Sequence, residues 1–391
     1  MYKIRTHDQI AVEGLERFPR DRFEVGTEIG DPDAILVRSH RLREQDVGAR
    51  LRAVARAGAG VNNIPVDAYT RRGIVVFNTP GANANAVKEI VVAAMLLAAR
   101  DLAGGLGFVA GLDPTLDEAA LHAAVEGEKK RFRGGELAGR TLAVVGLGAI
   151  GARVAEVGLR LGMDVLGHDP AISVDAAWRL PAEVRRMENL HALLARSAYV
   201  TLHVPALEAT RHLITAETLR ACRPGTVLLN YARDEVVDPA AVAAALDAGV
   251  LARYVSDFPH PRLLGRRDVL FTPHLGASTG EAERNCAVMA AQQLVDFLEH
   301  GNIRNAVNFP TVQLERTSGR RLAVTNDNVP RMLGRILSVL ADHELNVVDM
   351  LNKSREDIAY NLIDVEQTPA PRVLEALGRI EGVVNVRLFD A

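Results

Sequence analysis

Two residues able to clamp an anion and to move a proton, Arg233 and His274, each follow a short apolar run. Arg233 closes Thr226-Val-Leu-Leu-Asn230-Tyr231-Ala232-Arg233, and His274 lies in Val269-Leu-Phe-Thr-Pro273-His274-Leu-Gly276-Ala277-Ser278-Thr279. A third run of the same design is Tyr199-Val-Thr-Leu-His203-Val204-Pro205, with Thr210 shortly after it. A guanidinium presents a planar fork to a carboxylate and polarises a neighbouring carbonyl. An imidazole gives or takes a proton near neutral pH. Together they meet the needs of hydride transfer between a 2-hydroxyacid and its 2-oxoacid. Each residue alone would pass for a surface or structural group, and His203 is read as a structural or backbone contact. Their recurrence at successive strand ends carries the argument, because open parallel sheets bind ligands at the carboxyl ends of their strands.

Such chemistry needs an electron carrier, and the chain offers a place for one. The apolar run Thr141–Val145 leads directly into Gly146-Leu-Gly148-Ala149-Ile150-Gly151, then a helical stretch Ala152–Leu161, then a second apolar run Met163–Gly167 ending at His168-Asp169. Gly146 allows a tight turn, Gly148 lets the backbone approach a pyrophosphate, and Gly151 lets helix and strand pack closely. The helix start offers free N–H groups and a positive dipole end to phosphates. Asp169 falls where a carboxylate meets a ribose 2′-hydroxyl, and it repels a 2′-phosphate. NAD is therefore expected as cofactor rather than NADP, with His168 and Arg179 the residues able to upset that preference.

The elements that would carry these groups alternate along the chain. Ala34–Val37, Leu51–Ala55 and Gly73–Phe77 read as strands, and a helix runs from about Asn85 to Arg100. Glycines break the chain after residue 101, which reads as a crossover between domains. The new strand series from Thr141 to Pro273 ends in a helix Ser278–His300. This alternation predicts an α/β fold with parallel sheets. Phe309–Arg320 reads as a linker. The last 70 or so residues follow the order β-α-β-β-α-β of a ferredoxin-like unit.

Bulk properties narrow the function further. With 391 residues, 48% hydrophobic, and a formal net charge of −3, the chain has material for two or three globular domains and no basic surplus for nucleic acid. Two distant cysteines, Cys222 and Cys286, make neither a metal site nor a disulfide framework. The N-terminus lacks a signal-peptide run, and Ile90–Ala99 is too short to span a bilayer, so a cytoplasmic location without membrane contact is expected. Arg38 and Arg56 end neighbouring strands and Lys88 opens a helix, a set of cations suited to a phosphate.

The motifs taken together resemble the D-2-hydroxyacid dehydrogenases, and within them the branch acting on 3-phospho-D-glycerate and carrying an ACT domain. The carrying residues are Ala57–Asn62, Val76–Pro80, Gly146–Gly151, Asn230–Arg233 with Val236–Asp238, and Pro273–Thr279. The resemblance implies two doubly wound, parallel-sheet (Rossmann-like) domains plus a C-terminal ferredoxin-like ACT domain. Residues 1–100 and 285–310 would bind substrate, 101–284 would bind NAD, 320–391 would regulate, and the active site would lie between the first two. It further implies that Arg233 binds substrate and His274 is the proton donor. Ala149, Ile150, Asp169, Tyr231, Ala232, Asp257 and the stretch His274–Ala277 would contact NAD, as would His203, Val204, Pro205 and Thr210. Ala59 and Gly60 would offer backbone N–H groups to the substrate carboxylate, and Asn83 would border the pocket. The implied reaction is NAD-dependent oxidation to 3-phosphohydroxypyruvate, the first step of L-serine biosynthesis, in a homodimer or homotetramer.

Two departures from the family pattern bear on mechanism. The Glu that usually pairs with the catalytic His is missing from Asp257-Phe258-Pro259-His260-Pro261-Arg262, which leaves Asp257 as first candidate for the acid partner and Glu281 as second. The Gly usual after the catalytic Arg is Asp234. In the C-terminal unit, Asn326, Asn328 and Asn346 fall where serine-binding residues lie in serine-sensitive relatives, while Arg331 replaces a Gly. Two other readings stay open: a dehydrogenase for another acid, such as glycerate or 2-hydroxyglutarate, and a non-catalytic NAD-sensing protein.

Overall fold

The computed structural model describes residues 1–317 and 319–389. The chain forms two compact units, Met1–Asn83 with Gly280–Ala391, and Ala84–Thr279.

The first unit opens with β1 (Tyr2–Thr6), β2 (Phe23–Gly26), β3 (Ala34–Val37), β4 (Ala53–Arg56) and β5 (Val75–Phe77). They form one parallel sheet in the order β2-β1-β3-β4-β5. The central strands are apolar on both faces, since both are covered: β3 is buried throughout. β1 and β2 were not legible in the sequence, because only alternate residues of Tyr2–Thr6 are buried and the run is polar. The helix Gly280–His300 returns the chain to this unit and packs Ala287, Ala290, Ala291 and Leu294 into its core.

The second unit holds β6 (Thr141–Val145), β7 (Asp164–His168), β8 (Arg185–Arg186), β9 (Tyr199–Leu202), β10 (Thr226–Asn230), β11 (Leu251–Ser256) and β12 (Val269–Phe271). They form a parallel sheet in the order β12-β11-β10-β9-β6-β7-β8. The helix Ala84–Ala99 belongs here, with Val87, Val91, Met95 and Ala98 in a core shared with Leu142, Val144 and Leu229. The unit boundary thus falls before that helix, at residue 83, and not at residue 100. The glycine-rich stretch expected to be irregular is helical, Leu102–Ala110, capped by the Asp101 carboxylate accepting from Gly104 N–H at 3.2 Å. It and the next helix, Glu118–Glu128, bury no residue.

The remaining strands are β13 (Arg320–Asp327), β14 (Val347–Arg355), β15 (Ile358–Val365) and β16 (Val383–Phe389), an antiparallel sheet in the order β14-β15-β13-β16. Helices Met332–Asp342 and Pro371–Gly378 cover one face with Ile336, Leu340, Val373 and Leu377. This is the expected ferredoxin-like layout. It is not a detached unit, however. Its other face, carrying Ala323, Tyr360, Leu362 and Phe389, is in one core with Phe297, Ile303 and Phe309. Arg321, with 0% exposed surface, grips Asp364 through two nitrogens at 2.7 and 2.9 Å, and donates to the carbonyls of His300, Leu314 and Glu315. Arg387 lies over the rings of Phe297 and Phe389. The segment read as a linker is therefore tied down, with Ile303 and Val312 bridged.

Among the described residues no single helix is long and apolar enough to cross a membrane, and no cluster of three His, Cys, Asp or Glu is placed to hold a metal.

Candidate active site

The register of the second sheet brings the motifs into line. Val145 pairs with His168 and with Leu202, Leu202 with Asn230, Asn230 with Ser256, and Ser256 with Phe271. The residues that follow, Gly146, Asp169, His203, Tyr231, Asp257 and Thr272, therefore share one edge of the sheet.

At this edge the glycines are required by geometry. Gly146 has φ +88°, and a Cβ there would sit 2.6 Å from the His203 carbonyl oxygen. A Cβ on Gly151 would fall 1.9 Å from the Gly146 oxygen, while Gly148 faces open space at the start of the helix Ala149–Arg160. Asp169 is held against this turn, one oxygen accepting from Leu147 N–H at 2.8 Å and the other from Ala171 N–H at 3.0 Å. The turn, the helix start with Ala149 and Ile150, and the flanking carboxylate fit a dinucleotide pyrophosphate and its ribose.

His203 is fixed behind the turn. Its ring bonds Thr201 at 2.9 Å, its Nδ1 is buried without a partner, and burial pushes its pKa down to about 3. A neutral imidazole of this kind supports the turn and is no proton donor at physiological pH. The Val204 side chain also borders Gly146. Thr210 closes its own loop, accepting from Leu207 N–H at 2.9 Å and donating to the Pro205 carbonyl.

Arg233 stands on a rigid base. The Asn230 side chain, fully buried, donates to the Arg233 carbonyl at 2.9 Å and accepts from Ala232 N–H at 3.1 Å. The Ser256 hydroxyl in turn donates to the Asn230 carbonyl at 3.0 Å. In sequence Asn230 reads only as part of the Asn230–Arg233 motif, not as a support, and Ser256 is not singled out. Tyr231 is buried, and desolvation followed by the Asp257 charge raises its phenol strongly.

His274 has φ +50°, and its N–H reaches the carbonyls of Thr272 and Asp257 at 3.0 and 3.2 Å. Its exposed ring meets the ring of Phe258 edge-on, with centroids 4.9 Å apart. Asp257 does not act as the acid partner in this arrangement. One of its oxygens accepts from the Thr272 hydroxyl and the other from Gly276 N–H at 2.7 Å, so it shapes the loop carrying Gly276 and Ala277 instead. Glu281 lies on the helix Gly280–His300 of the first unit. The imidazole of His274 has no hydrogen bond or ion pair among the described residues.

In the first unit, Arg38 and Arg56 come together at the ends of β3 and β4. Arg56 Nε donates to the Arg38 carbonyl at 2.9 Å, and the Arg38 guanidinium meets Glu283 at 2.7 Å. Ala59 accepts from the Asn78 side chain at 2.6 Å, and beside it the turn runs on through Gly60. The Asn83 side-chain oxygen is buried without a partner. Lys88 belongs to the second unit, where it bonds Asn85 at 2.8 Å and lies 3.7 Å from Glu89.

The three asparagines of the C-terminal sheet do not converge within the chain. Asn326 pairs with Ala359 and bonds Asn361, and Asn328 bonds the Glu356 carbonyl, at one end of β15. Asn346 bonds Glu366 at the other end.

Comparison with known proteins accords with this geometry. Residues 114–276 match the sequence profile of the D-isomer specific 2-hydroxyacid dehydrogenase NAD binding domain. The D-3-phosphoglycerate dehydrogenase of Methanocaldococcus jannaschii is 33% identical over 84% of this chain, which spans only 61% of that protein's length. The D-3-phosphoglycerate dehydrogenase of Escherichia coli is 30% identical over 94% of this chain and 90% of its own length. The NAD+-bound 3-phosphoglycerate dehydrogenase of Entamoeba histolytica superposes with a TM-score of 0.61 at 25% identity, covering 78% of this chain and 98% of that one. Residues 114–276, which include the glycine turn, thus form an NAD-binding domain, and the chain belongs to the D-isomer-specific 2-hydroxyacid dehydrogenase family.

Proposed function

We propose that the chain oxidises 3-phospho-D-glycerate to 3-phosphohydroxypyruvate with NAD, the first step of L-serine biosynthesis. The observation that carries this is the alignment of strand ends in the second unit, where the glycine turn, Arg233 and the His274 loop follow paired residues of one sheet. The relatives in M. jannaschii and E. coli bear the name of that activity. Bound NAD supplies the hydride acceptor. The residues of the chain then divide the remaining work. Arg233 binds the substrate carboxylate and polarises the C2 oxygen. The His274 imidazole takes the hydroxyl proton as C2 loses its hydride, and returns it in the reverse direction. Arg38 and Arg56 receive the phosphate. With Asp257 occupied by Thr272 and Gly276, His274 is oriented by its backbone bonds and the Phe258 ring.

The test is turnover with NADH against a panel of 2-oxoacids. A preference for 3-phosphohydroxypyruvate is expected. A preference for an unphosphorylated acid would reassign the substrate, and NADH binding without turnover would leave a sensing role.

Two finer assignments go with this reading. A homodimer or homotetramer is proposed because the helices Leu102–Ala110 and Glu118–Glu128 expose Leu106, Val109 and Leu121 and run from acidic Asp117-Glu118 to basic Lys129-Lys130-Arg131, so two antiparallel copies match apolar faces and opposite charges. L-Serine is proposed as a ligand of the C-terminal sheet only across two chains, since Asn346 and the Asn326–Asn328 pair lie at opposite ends of β15. Light scattering with and without serine tests both.

A further inference from the structure

The order β2-β1-β3-β4-β5 changes direction between β1 and β3, and such switch points are where doubly wound sheets hold ligands. The chain has furnished this point with an anion of its own. Just past β1, Asp8 takes a left-handed backbone at φ +66°. One oxygen of its carboxylate accepts from three successive backbone N–H groups past β3: Arg38 at 3.0 Å, Ser39 at 2.8 Å and His40 at 2.9 Å. The opposite side of the same turn is clamped by Asn63, whose side-chain amide donates to the carbonyls of Arg38 at 3.2 Å and His40 at 2.7 Å. The ring of His40 stacks on His7 at 4.3 Å, nearly parallel at 5°. All three N–H groups of this turn and two of its carbonyls are thereby engaged, and the Arg38 guanidinium projects from it to Glu283.

Three convergent N–H groups make a nest that would otherwise take a phosphate or carboxylate of a ligand. Asp8 fills that nest, so the substrate anion is left to the arginine side chains. Burial alone would raise the Asp8 carboxyl; the N–H groups of His40, Arg38 and Ser39 outweigh it and hold it below its ordinary value. The carboxylate is thus charged throughout the physiological range. We propose that Asp8 is a positioning residue for substrate binding, fixing the Arg38–His40 turn so that Arg38 is aimed at the substrate's anionic group. This rests on the dehydrogenase reading above.

The experiment is a double-mutant cycle in the full chain. Asp8→Ala is expected to raise KM for 3-phospho-D-glycerate about tenfold, with kcat within about twofold and NADH affinity unchanged. In an Arg38→Ala background the same change should move KM by less than about twofold, because Asp8 acts through Arg38. A factor as large in that background as in the wild type overturns the proposal, as does an unchanged KM in the single variant. Where Asp8→Ala does not give a cooperative melt, Asp8→Asn, which keeps one acceptor oxygen and loses the charge, carries the same cycle with a smaller expected rise. If the wild type instead turns over a different 2-hydroxyacid, the substrate reading fails and the cycle run with that acid decides Asp8 separately. A wild type with no turnover overturns both.

Discussion

Replacing Arg321 with Met should unseat the C-terminal sheet. Arg321 is wholly buried and spends its guanidinium on five contacts: two with Asp364, and one each with the carbonyls of His300, Leu314 and Glu315. Met fills much of the volume but offers no donor, and it strands a carboxylate whose side chain is 1% exposed, with only Thr317 among the described residues left to donate to it. Removing one partner of a buried pair costs about 3–5 kcal/mol, chiefly through the charge left behind. Arg321→Met should therefore lower the unfolding free energy of the first urea transition by that amount, seen as an earlier midpoint at unchanged slope. Arg321→Met with Asp364→Leu should recover most of it, because no isolated charge remains. The pH dependence carries the same signature. Burial acts to raise the Asp364 carboxyl, but the hydrogen bonds from Arg321 and Thr317 win and set it below its ordinary value. A carboxyl depressed in the fold contributes stability that is present above its unfolded pKa of about 4 and fades as pH falls through the lower folded value. Wild type should lose this contribution only in strong acid, and the double variant should lack that slope. If the single variant loses less than about 1 kcal/mol, or if the double is no better than the single, the grip of Arg321 is not what holds the sheet.

Gly151→Ala puts a Cβ 1.9 Å from the Gly146 backbone oxygen, so the turn must shift: NADH affinity should fall at least ~100-fold, as fluorescence titration would show, and the melting temperature should drop as well. His274→Ala should lower kcat by about 10²–10⁴ with NADH affinity retained, and an unaltered kcat would refute its role. Arg233→Lys loses the planar fork, so KM should rise and kcat fall together in steady-state assays, even though the charge is kept.

What was legible in sequence was whatever lay close together along it. Strand, glycine turn, helix, strand and Asp169 occupy one stretch of about thirty residues, and each element formed within a few positions of its expected ends. Arg233 and His274 were legible because each directly follows a strand of the same sheet. Long-range partnerships were not. Asp8 carries no local motif, since the N–H groups it serves are thirty residues away. Asp257 was read from its neighbours as a partner for His274, yet Thr272 and Gly276 reach it first. The helix Ala84–Ala99 follows the first sheet in sequence, but its apolar residues fit the second. The docking of the C-terminal sheet did leave a trace: all eight residues of β15 are buried, and Ile-Ala-Tyr-Asn-Leu-Ile-Asp-Val lacks the polar alternation of a strand with one wet face.

The helix Gly280–His300 joins features that otherwise look unrelated. Its first turn carries Glu283, the partner of Arg38, and its last carbonyl is bonded by Arg321 of the small domain. Twenty-one residues of helix make a rod of about 31 Å. A tilt of only about 3° at one end of such a rod displaces the other by roughly 1.6 Å, half the length of a hydrogen bond. Leverage of this kind needs no flexible relay: whatever rocks the C-terminal sheet is felt at Arg38.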